Sequence, residues 1–117
     1  MTVKLNKAAF DHAKELVAKG QTAKDERDDW SEHAPTADEE NAYLDKHGWD
    51  EYGLWYLGLD TELDEETKGH YKFPYGDFRR LHRCGVISAE SRAAQNDYDH
   101  ITKAVAELHE LLDGDHS

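Results

Sequence analysis

His70, His82 and Cys84 place two imidazoles and the chain's single thiol in one short segment. Imidazole and thiolate together suit zinc by ligand softness, and a thiolate beside an imidazole is also how a cysteine nucleophile meets its base. Arg83 stands between His82 and Cys84, where a cation would lower a thiol pKa. One reading of this segment is therefore a metal-binding or Cys/His-dependent enzyme built on these three residues. The spacing lends it little weight. There is no CxxC, no HExxH and no H-x3-H pair, and His100 and His109 are nine apart and face different directions on one helix. Leu81, Cys84 and Ile87 fall on one helical face, which predicts a buried, inert cysteine. Residues 60–71 begin like a calcium loop, but Glu65 occupies the position that needs glycine and Tyr71 the position that needs a bidentate glutamate. With no nucleophile elbow and no phosphate-cradling glycine loop either, the sequence implies no catalytic residue and no cofactor.

Charge is the stronger signal. Residues 68–92 carry Lys68, Lys72, Arg79, Arg80, Arg83 and Arg92 against Asp77 and Glu90, whereas residues 25–67 carry sixteen acids against Arg27 and Lys46. A chain of net charge −12 has kept one positive island. Segregation of this kind marks a place where a partner docks, and Lys72, Arg79, Arg80 and Arg83 are the candidate binding residues. The default expectation for these four is nevertheless that they pair with the protein's own acids in residues 25–66, each surface pair worth only about 0–1 kcal/mol. Tyr71 and Phe73 alternate with His70 and Lys72, so the aromatics are expected in the core and the charges outside. That separation disfavours single-stranded nucleic acid, which needs both on one surface. The overall acidity likewise argues against nucleic acid and anionic membranes. The acidic stretch itself supports a further reading, a carboxylate surface that imitates a phosphate backbone and blocks a basic cleft.

The elements that must position these groups follow from periodicity and punctuation. Asn6 caps a helix running to about Lys19, with Leu5, Ala9, Ala13, Leu16 and Val17 inward and Gly20 as its stop. Residues 21–34 read as a polar connection pinned by Trp30. Thr36 and Glu39 form a capping box for a second helix with Tyr43, Leu44 and His47 inside, ended by Gly48. Residues 53–59 (GLWYLGL) and 70–74 (HYKFP) read as an antiparallel hairpin, and residues 2–5 can supply a third strand. A third helix spans about residues 82–95, with Leu81, Cys84, Ile87 and Ala94 inward. The last, capped by Asp97 or Asp99, carries the longest apolar stripe: Ile101, Ala104, Val105, Leu108, Leu111 and Leu112. It should be the central packing element.

At 117 residues this is one domain with a modest core, expected over residues 1–113, with a disordered tail at 114–117. The fold class is α+β: four helices and a small two- or three-stranded antiparallel sheet. The lone cysteine and the lack of a long apolar run or signal-peptide pattern point to a cytoplasmic protein with no membrane association.

From Leu54-Trp55-Tyr56, through Lys68 and Tyr71-Lys72-Phe73-Pro74, to Arg83-Cys84-Gly85-Val86-Ile87 and Ala89, Ala93 and Ala94, residues 52–112 resemble a module of unassigned role. That module occurs in some phage head-maturation protease and capsid-associated proteins. The whole chain is also similar to a group of small acidic bacterial proteins. The resembling residues are core and punctuation, so the likeness implies a structural or interaction module and transfers no active site. The leading expectation is a non-enzymatic interaction or structural protein, with a protein partner met through the basic island or the acidic segment.

Overall fold

The structure, a computed structural model, describes residues 3–23, 30 and 34–114. Strand β1 (Val3–Leu5) leads into helix α1 (Lys7–Ala18), and the short strand β2 (Thr22–Ala23) follows. Helix α2 (Ala37–Gly53) precedes β3 (Tyr56–Asp60), a 3-10 turn (Lys68–His70) and β4 (Tyr71–Pro74). Strand β5 (Leu81–His82), α3 (Arg83–Gln95) and α4 (Asp99–Gly114) complete the α+β chain. The main sheet is antiparallel in the order β1-β3-β4, and β2 pairs with β5 in a separate parallel ribbon.

The expected third strand is present as β1, pairing Val3 with Asp60 and Leu5 with Gly58. Central β3 is buried along most of its length because helices α1 and α4 pack against it, while α3 packs on β4. In α4, Ile101, Val105, Leu108 and Leu112 are fully buried, as the apolar rhythm predicts, and this helix touches α1, α3 and the sheet. Leu111, expected inside, is 42% exposed at the outer edge of that stripe.

Asn6 ties the N-terminal elements together. Its side-chain oxygen accepts from the Ala9 amide at 3.4 Å, capping α1. Its side-chain nitrogen donates to the Gly53 and Tyr56 carbonyls at 2.9 and 3.0 Å, and its backbone N–H to Leu57 at 2.8 Å. These backbone partners offset the cost of taking the Asn6 amide out of water.

Several expectations change, among them His47 of the second helix, which is exposed rather than inward. Gly48 does not end the second helix. It interrupts it at φ 84°, ψ 174°, a region open only to glycine, and the chain re-enters helix through Gly53. The strand therefore starts at Tyr56 rather than Gly53. His70 is not on an outer face but is buried in the 3-10 turn, off the alternating strand. In α3, Ala94 is exposed, while Val86, Ala89 and Ala93 join Cys84 and Ile87 inside. Residues 22 and 23 form a strand where a connection was expected, and most of the rest of that connection lies outside the described residues, as does 115–117 of the expected tail. The last helix begins at Asp99 and itself includes Gly114.

Candidate binding face

The 76–80 turn is built to hold two arginines outward. The Asp77 N–H donates to the Arg80 carbonyl at 3.2 Å, and Asp77 Oδ1 accepts from the Arg79 and Arg80 amides at 3.0 and 2.9 Å. Asp77 Oδ2 lies 2.9 Å from His82 Nε2 on β5. Burial pushes the Asp77 pKa upward, but His82 and the two amides outweigh it and hold it below the ordinary aspartate value. Gly76 is obligatory, because a Cβ would sit 2.6 Å from both the Arg80 carbonyl oxygen and the Trp55 ring. Phe78 takes a left-handed φ of 68°, which turns its ring flat against Tyr43 at 4.4 Å and an interplanar angle of 11°. Backbone strain at a bulky residue persists only where its surroundings fix it, and here the stack and the Asp77 bonds do so.

Two concavities flank the arginines and share Arg79. One, about 350 Å3, lies between Tyr43, Lys46 and His47 of α2 and Phe78. The other, about 400 Å3, lies between Arg79, Arg80 and the backbone turn at Gly20, Gln21 and Thr22. That turn is held by β2 running parallel to β5, and Leu81 donates its N–H to the Gln21 carbonyl at 3.1 Å. Both arginines are exposed, and neither makes an ion pair among the described residues.

The other basic candidates lie elsewhere. Arg83 makes a bidentate contact with Asp113 at 2.8 and 3.3 Å, joining the start of α3 to the end of α4. Lys72 shares a smaller concavity with Arg92, Phe73 and Tyr98, and makes no ion pair among the described residues. Among the described residues, Lys68 is the one island member paired within the acidic stretch, to Glu40 at 3.2 Å. The positive island is thus one segment in sequence and several places in space, of which Arg79 and Arg80 form one.

His70, His82 and Cys84 do not converge. His70 Nδ1 is 2.7 Å from the Asp60 carbonyl and 3.1 Å from that of Leu63, whereas His82 faces Asp77 and Trp30. Cys84 is fully buried. Among the described residues, no three His, Cys, Asp or Glu side chains are grouped to hold a metal ion. A thiol without access to solvent is no nucleophile for an external substrate. Sequence reasoning missed Tyr43, Lys46, His47 and Phe78 as companions of the arginines. Only the Gly76-Asp77 turn hinted at the geometry, and the helix contributing three of them is distant in sequence.

No helix among the described residues is long and apolar enough to cross a membrane. No family model, curated protein or solved structure matches this chain.

Proposed function

We propose that this protein is a non-enzymatic interaction module that docks an acidic protein segment on the face around Arg79 and Arg80. The observation that carries this is a pair of adjacent, exposed guanidinium groups with no ion-pair partner among the described residues, on a turn locked from behind by Asp77. Planar guanidinium groups suit bidentate carboxylates, and the neighbouring Tyr43–Phe78 stack adds a rigid aromatic surface of the kind that anchors interfaces. The burial of Cys84 and the separation of His70 from His82 favour this over the Cys/His enzyme reading.

The test is capture from a bacterial lysate by the wild-type chain and by Arg79→Gln with Arg80→Gln, followed by titration of whatever the wild type retains. The double variant should lose the partner while keeping its melting temperature. Wild-type affinity should fall as salt rises, because exposed charges are screened over roughly 8–10 Å near physiological ionic strength. An unchanged set of captured proteins would overturn the reading.

A further inference from the structure

Beside the second half of α2 lies another cavity, of about 400 Å3, with a different chemistry. Trp49 and Tyr71 form one wall, their rings 5.7 Å apart and within 11° of parallel. Asp50, Glu65 and Glu66 also line it, and none of the three makes an ion pair among the described residues. The Tyr71 hydroxyl donates to the Glu65 carbonyl at 2.8 Å, which holds the acidic connection against the aromatic wall. Burial, then the charges of Glu65, Asp50 and Glu66, raise the Tyr71 pKa, so the negative field of all three reaches that ring.

His70 supplies the remaining polar group. The residue is 6% exposed and lines the cavity. Its Nδ1 faces two carbonyl oxygens, which accept and never donate, so Nδ1 carries the proton. In the neutral ring Nε2 is then an acceptor, and it has no hydrogen-bond partner among the described residues. An acceptor that solvent still reaches is one that a ligand N–H can engage in place of water.

We propose that this cavity binds a primary alkylammonium group. Aromatic faces attract such a cation, the carboxylates neutralise it, and His70 Nε2 accepts one of its protons. Leu54 and Leu59, also in the lining, suit the methylene stem behind the charge. A hard divalent ion would demand a shell of oxygen ligands, whereas much of this lining is ring and hydrocarbon. The ammonium comes either from a free amine or from a lysine side chain of another protein. The site is separate from the arginine face and does not depend on the function proposed for it.

The experiment is an NMR titration of the full chain, following the Trp49 indole and His70 ring signals. The probes are pentylammonium chloride and, separately, a blocked pentapeptide with one central lysine, with pentanol as the neutral control. Saturable shifts with at least one cation and none with pentanol are expected. Tighter binding of the amine identifies a free amine as the source, and tighter binding of the peptide identifies a lysine side chain. Replacing Glu65 and Glu66, both exposed, by Gln should weaken binding by about tenfold or more at an unchanged melting temperature, because two partly solvated charges are removed. The Arg79→Gln, Arg80→Gln chain should bind the amines as the wild type does, so failure here and failure of the arginine face are read separately. Saturation by neither cation, equal shifts with pentanol, calcium binding in place of the amines, or undiminished binding by the Gln variant would each overturn the proposal.

Discussion

Tyr43 and Trp49 belong to one helix and each stacks on an aromatic ring from a later segment, Phe78 and Tyr71 respectively. Their surroundings differ in charge. Tyr43 stands with Lys46 and Arg79 balanced by Glu39 and Asp77, while Trp49 stands with Asp50, Glu65 and Glu66 and no cation in the lining. Tyr52 links the two, lying 5.8 Å from Phe78 and 5.4 Å from Tyr71. The difference teaches that the aromatic seam is scaffold and the charge around it is what distinguishes the two regions. Gly48 makes the division, because its backbone turns the second half of α2 away from the register of the first.

The heaviest blow to both regions falls on the core beneath them. Leu108 is fully buried in α4, so Leu108→Ala should cost about 2–5 kcal/mol. Chemical denaturation near the wild-type midpoint would show that the seam does not rest on α4. Next comes the divider. A Cβ at Gly48 meets no atom within 4 Å, so Gly48→Ala acts through backbone conformation alone and should cost about 1–3 kcal/mol. D-alanine introduced there by ligation should restore stability, since it accepts a positive φ, and equal melting temperatures for the two epimers would contradict the role given to Gly48.

A smaller effect separates the regions by pH. The folded Asp77 pKa lies below the ordinary 3.8, so its contribution is fully present above that value and is lost as pH falls through the lower folded value. Asp77→Asn should flatten the part of the acid unfolding curve that lies below about pH 4. A curve of unchanged slope there would mean that the turn is not held by the carboxylate. The smallest change is expected from Arg79→Gln with Arg80→Gln, within about 0.5 kcal/mol, since neither side chain makes an ion pair among the described residues. A drop in melting temperature would reassign the two arginines to internal neutralisation.

Local signals were legible and distant ones were not. The apolar stripe of α4, the Asn6 cap and the Thr36–Glu39 capping box are written in neighbouring residues, and each forms. Gly48 misleads because a glycine with positive φ after an apolar stripe usually closes a helix. Here Trp49 and Tyr52 have partners on β4, and their packing accompanies the re-entry into helix. Strand β2 has two residues and no periodicity to read. The basic island reads as a single patch in sequence because charge along the chain does not report position in space. Arg83 is drawn to Asp113, thirty positions away, and no local pattern reports that. The acidic cavity is hidden for the same reason: in sequence Glu65 and Tyr71 mark only the two positions at which a calcium loop fails, while Trp49 and Asp50 sit on another element.

Asn6 has a consequence for how the chain acquires its shape. Its cap on Ala9 is available as soon as the first helix leaves the ribosome, but its acceptors at Gly53 and Tyr56 are translated 47 and 50 residues later. Until then the first strand has no neighbour and the amide is left to water. Sheet closure must await that long loop, whose ends meet at an entropic cost that local helix formation never faces. Strand β1 is therefore synthesised well before the strand it pairs with and docks only after that strand is made, and a chain stalled before Tyr56 offers it no partner strand.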